Sequence, residues 1–105
     1  MATSPTQLSL RLMREQGYTA AIVEYWGAFD RKRHDLFGFI DILCLRGEDV
    51  VAIQTTSASN VSARVKKITE HENVGVVRKA NWRIVVHGWA KVGNRWNLTR
   101  CVDLS

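Results

Sequence analysis

Cysteine and proline are both scarce in this chain of 105 residues, which has two of the first and one of the second. Cys44 and Cys101 are too few and too far apart for a disulfide framework or a zinc site. Cys44, inside an apolar run, is expected to be a small core residue. No apolar run reaches 18 residues, which excludes a membrane-spanning helix of the usual kind. The opening MATSPTQ has no charged stretch followed by an apolar one, so a secretory signal is not expected and a cytoplasmic protein is. Repeats, linkers and low-complexity tracts are missing too. What is present is 46% hydrophobic residues and four tryptophans, too apolar for a disordered chain. The expectation is one domain spanning residues 1–105.

Ser4-Pro5-Thr6-Gln7 reads as a helix start, with Ser4 as cap, Pro5 in the first turn and Gln7 placed to reach back. Leu8, Leu12 and Met13 form its apolar stripe, and Gly17 ends it. Residues 20–26 are rich in β-formers and predict a strand. DRKRHD, residues 30–35, is a charged loop or hairpin tip. FGFIDILCL (37–45) and VVAIQTT (50–56) predict two strands joined through the Arg46-Gly47-Glu48-Asp49 turn. A second helix starts after residues 57–60 and runs to about Gly75, burying Val61, Val65 and Ile68. Residues 82–87 and 96–102 close the chain as strands around Gly93-Asn94. The order α-β-β-β-α-β-β predicts an α/β domain.

Two polar interruptions of apolar strands carry the functional signal. Asp41 stands among Phe39, Ile40, Ile42 and Leu43, where an unpaired carboxylate costs several kcal/mol. It requires a basic partner, backbone donors or a metal. Gln54-Thr55-Thr56 closes an otherwise apolar strand, and alternation puts Gln54 and Thr56 on one face, which Asp41 can adjoin. Taken singly, each has an ordinary explanation as a buried ion pair or a strand end.

Together, and in this element order, they resemble the PD-(D/E)XK nuclease superfamily, and most of all its small phage-encoded VRR-NUC and Holliday-junction-resolvase-like members. The resemblance spans residues 4–90. Asp41, in GFID, stands where the family has its motif aspartate, and Gln54-Thr55-Thr56 where it has D/E-x-K. The resemblance implies a restriction-endonuclease-like core, α-β-β-β-α-β with a further β, whose mixed central sheet is flanked by helices. It implies hydrolysis of DNA phosphodiesters with Mg²⁺ or Mn²⁺. Asp41 is then a metal ligand, Gln54 a neutral ligand in place of a carboxylate, and Glu24 either a third ligand or an edge or ion-paired residue. Thr56 cannot supply the motif lysine's charge, which passes to Lys67, or else to Lys66 or Arg64, on the following helix. Another reading is a catalytically inactive nucleic-acid-binding module on the same fold. A third is a structural or partner-binding protein.

Fifteen Lys and Arg against ten Asp and Glu give a net charge of +5. The excess gathers in Arg31, Lys32, Arg33 and His34 before Asp41, and in Arg64, Lys66 and Lys67 after Thr56. Such clusters bind backbone phosphates when they are not simply solvated. Asp35 either pairs with Arg33 or joins the site. The expected partners are DNA and, given how small the domain is, a second copy of the chain; no membrane is implied.

Overall fold

The computed structural model describes residues 3–105. Helix α1 (Pro5–Glu15) starts as its sequence dictates: Ser4 caps it, its Oγ accepting from Gln7 N at 3.2 Å, and Pro5 fills the first turn. The buried stripe, however, is Ser9, Leu10 and Met13, with Leu8 and Leu12 only partly covered. A serine faces inward because it finds partners there. Its Oγ lies 2.9 Å from His87 Nδ1 and accepts from Trp89 Nε1 at 2.8 Å.

Seven strands follow: β1 (Thr19–Ile22), β2 (Tyr25–Trp26), β3 (Arg33–His34), β4 (Ile42–Arg46), β5 (Asp49–Ser57), β6 (Arg83–Val92) and β7 (Arg95–Asp103). Five form a mixed sheet in the order β1-β4-β5-β6-β7, in which only β5 and β6 run parallel. The remaining two, β2 and β3, make a separate small hairpin. A single 3₁₀ turn (Ala58–Asn60), α2 (Val61–Thr69) and α3 (Val74–Lys79) supply the crossover that a parallel pair requires.

Alternation along β5 and β6 divides the core in two. Val51, Ile53 and Val85 pack with Leu10, Met13, Ile42 and Cys44 on the α1 face. Ala52, Ile84 and Val86 pack with Val61, Ile68, Val74 and Val77 on the other. Strands covered on both faces carry continuous apolar runs, as these do. The result is an α/β domain with a five-stranded mixed sheet and helices on both faces. No helix among the described residues is long and apolar enough to cross a membrane.

Three elements depart from the sequence expectation. The single strand expected over residues 20–26 breaks at Val23 and Glu24 into β1 and β2, which lie in separate sheets. The second helix does not reach Gly75: it stops at Thr69, where His71 Nδ1 accepts the Asn73 backbone N–H at 3.0 Å, and α3 begins only at Val74. A side chain that bonds nearby backbone competes with the helix in this way. The strand expected from Phe37 begins instead at Ile42. Residues 36–40 fold back on themselves, with Leu36 bridged to Ile40 and positive φ at Phe37 (53°) and Gly38 (90°). Gly38 has two reasons to be glycine. Its backbone angle disfavours any side chain, and a Cβ there would collide with the His71 ring.

Candidate metal centre

β4 begins one residue after Asp41, and that boundary defines the site. The Asp41 backbone still belongs to the sheet: its N–H donates to Ile53 O at 2.9 Å, and its carbonyl accepts from Val23 N at 2.9 Å. Before Asp41 the chain turns away, so the next donor along β5 has no strand opposite it. The Asp41 side chain takes that place. Its Oδ2 accepts from Thr55 N at 2.8 Å, Gln54 Nε2 at 2.7 Å and Thr55 Oγ1 at 3.2 Å. Thr55 is braced from α1 by Thr6, hydroxyl to hydroxyl at 2.9 Å. Asp41 is 4% exposed and Gln54 3%. A buried carboxylate that accepts several donors, one of them a backbone N–H, is well satisfied and firmly held.

Glu24 and Asp35 complete a cluster with Asp41. One carboxylate oxygen from each lies within 4.8 Å of the others. Asp35 reaches the site because the 36–40 turn returns the chain to it. An extended path from residue 35 to residue 41 would span about 20 Å. Burial and the Asp41 carboxylate together raise the pKa of Asp35 to about 6, while the Lys67 charge and the Gln54 side chain act in the opposite direction. Glu24 is ion-paired with Arg33 at 3.3 Å.

These side chains fit a hard divalent cation. The donors are all oxygen, as hard cations prefer. A further observation, independent of the carboxylates, points the same way. Gln54 gives its amide N–H to Asp41, which leaves its buried Oε1 without a hydrogen-bond partner among the described residues. An orphaned buried acceptor is uncommon and is what a ligand would satisfy.

The sequence-derived residues therefore divide. Asp41, Gln54 and Glu24 come together, Glu24 ion-paired with Arg33 as well, and Lys67 is the α2 cation whose charge acts on Asp35. Lys66 is exposed and Arg64 half-buried on the same helix. Thr56 is a correction. It is buried opposite Gly88 of β6, and the hydroxyl bonded to Asp41 is that of Thr55. Alternation placed Gln54 and Thr56 on one face correctly, but Asp41 lies at the sheet's end and meets β5 partly in plane, through a backbone N–H. Arg31, Lys32, Arg33 and His34 lie on the β2–β3 hairpin, where Arg33 is paired with Glu24 and His34 Nε2 with Asp30 at 2.7 Å. Of the two roles open to Asp35, the structure places it in the acidic cluster. Thr6 and Thr55 were not singled out. Their only sequence signal is polarity at an α1 position and at the end of an apolar strand.

No protein-family model matches the chain, and no curated protein does either.

Proposed function

We propose that this chain is a metal-dependent DNA endonuclease with a divergent site of the PD-(D/E)XK kind. The observation that carries the reading is the Glu24, Asp35 and Asp41 carboxylate cluster with the unpartnered Gln54 Oε1 beside it. The main sheet and its helices, with the small hairpin set aside, also follow the α-β-β-β-α-β order of that superfamily. Where the family has a second motif carboxylate, β5 offers the neutral Gln54. Asp35 restores the missing negative charge from a different element.

In this reading Asp41 is the fixed ligand, oriented by its donors from Gln54 and Thr55. Glu24, Asp35 and Gln54 Oε1 complete the oxygen set. Mg²⁺ or Mn²⁺ bound there supplies charge stabilisation at the phosphate and acidifies water. Lys67, at the rim beside Asp35, takes the charge role that Thr56 cannot, facing the phosphoryl oxygens with an ammonium donor. Arg31 and Lys32, both exposed, bind flanking phosphates.

The test incubates supercoiled and branched DNA with Mg²⁺ or Mn²⁺ and compares the wild type with Asp41→Asn. Asparagine is preferred to alanine because it keeps an oxygen facing Gln54 and Thr55. Alanine would strand buried donors at about 1–3 kcal/mol each. Metal-dependent cutting that falls at least a hundred-fold in Asp41→Asn is the expected result. Binding without cutting would identify an inactive binding module. Negligible DNA affinity even at low salt would leave a structural protein and overturn the proposal.

A further inference from the structure

The β2–β3 hairpin projects aromatic surface that the rest of the fold leaves uncovered. Tyr25 is 57% exposed, Trp26 64%, and Phe29 completely. Their exposure does not come from a slack loop. Gly27 N donates to Lys32 O at 2.8 Å, and Arg31 N to Gly27 O at 2.9 Å. Asp30 accepts from Lys32 N at 3.1 Å and holds His34 Nε2 at 2.7 Å. The His34 ring stacks on Tyr25 at 5.2 Å between centroids. Gly27 packs so closely against Asp30 and His34 that a Cβ there would clash with both. The hairpin thus bonds itself into shape, with the Trp26 and Phe29 side chains left outward.

Position and charge identify what those rings face. Glu24 directly precedes β2 and Asp35 directly follows β3, so two of the three clustered carboxylates are the feet of the hairpin. Arg31 and Lys32, exposed at its tip, place positive charge beside the aromatics. Exposed rings interleaved with cations are a surface on which bases stack while phosphates are neutralised. The bases of an intact duplex already stack on one another and present only their edges in the grooves. Rings of this kind therefore select nucleotides that are unpaired.

We infer that the hairpin is a base-stacking element that directs the site to DNA with unpaired nucleotides, Trp26 and Phe29 taking the bases and Arg31 and Lys32 the phosphates. The inference rests on the nuclease reading above and narrows it to a substrate class.

The experiment measures binding, without divalent metal, of a labelled duplex carrying a short central bubble and of the same duplex fully paired. Wild type is compared with Trp26→Ala and Phe29→Ala. Both positions are exposed, so melting curves are expected to match the wild type. The expected result is tighter binding of the bubble, with quenching of tryptophan fluorescence. Each substitution should weaken bubble binding about ten-fold and leave duplex binding unchanged. Equal affinity for both DNAs, or a preference untouched by the substitutions, overturns the inference while leaving metal-dependent cutting intact. Failure to bind any DNA, both without metal and with Mg²⁺ present, overturns the nuclease reading itself. A concentration-dependent dimer that Trp26→Ala dissolves would mark the patch as a contact between copies and also overturn the inference.

Discussion

Lowering the pH should destabilise this protein through one side chain, His87. Its ring lies on the α1 face of β6, 4% exposed, and burial pushes its pKa down from 6.5 to about 4. Below pH 6.5 the unfolded chain takes up a proton that the folded chain refuses until about pH 4. The stabilisation is therefore complete above 6.5 and is lost on acidification through that window. A shift of that size corresponds to about 3 kcal/mol, a substantial part of the roughly 5–15 kcal/mol that holds a domain together. Urea unfolding of the wild type and His87→Asn across this range isolates the effect. Asparagine places a polar group near the Nδ1 position that meets Ser9, and it does not titrate. Carboxylates that protonate over the same range contribute equally to both proteins and cancel. The expected result is a wild-type stability that falls by about 3 kcal/mol more than the variant's between neutrality and pH 4. Equal slopes in the two proteins would refute the reasoning.

Two further outcomes test the acidic site. Gly38→Ala forces a side chain into the His71 ring at a backbone angle that resists it, and should cost about 2 kcal/mol or more in thermal melts. Because that turn returns Asp35 to Asp41, the variant should also lose the rise in Tm that the proposed site should give the wild type with Mg²⁺ or Mn²⁺; a variant that keeps the full rise would separate the turn from the site. Asp35→Asn removes one of three crowded carboxylates and should stabilise the metal-free protein at neutral pH by about 1 kcal/mol, allowing for the partial exposure of Asp35. With the Asp35 pKa raised from 3.8 to about 6, that gain should fade on acidification toward 3.8, where the wild-type carboxyl is protonated whether folded or not. Metal-induced stabilisation should disappear in the same variant, and melts with and without Mg²⁺ read both effects.

How far the sequence disclosed this site depended on the range of the interaction. The β4–β5 hairpin was legible because its strands are apolar and its turn is polar, and Arg46 does face Asp49 across it. Asp41 and Gln54 stood out as polar residues interrupting those strands, and they are hydrogen-bonded to each other. Asp35 was harder to place. Phe37 to Leu45 is apolar enough to pass for one long strand, and only Gly38 hints at the fold-back. The Ser9, His87 and Trp89 cluster was invisible, since its partners lie 78 and 80 positions apart and no local periodicity connects them. Ser9 also displaced Leu12 from the buried stripe of α1, a case of tertiary hydrogen bonding prevailing over hydropathy.

The three carboxylates are not held alike, and the difference bears on how the site would work. Asp41 is fixed by backbone and side-chain donors within the main sheet. Glu24 and Asp35 flank the β2–β3 hairpin, which has its own two-stranded sheet. The Val23 N–H bonded to the Asp41 carbonyl anchors the Glu24 side to the main sheet, while Asp35 has no such backbone bond to Asp41 among the described residues. The spacing of Asp35 from Asp41 therefore follows the hairpin's position more than that of Glu24 does. Metal bound across the three would hold the feet of the hairpin against the main sheet. A nucleic acid gripping the hairpin's outer face would hold it from the other end. Two ligands that favour one position of a shared element strengthen each other's binding by the same factor in both directions. DNA with unpaired nucleotides should then raise the affinity for Mg²⁺, and Mg²⁺ should raise the affinity for that DNA equally. Trp26→Ala, which touches no carboxylate, should weaken that coupling while leaving the affinity for the metal alone unchanged.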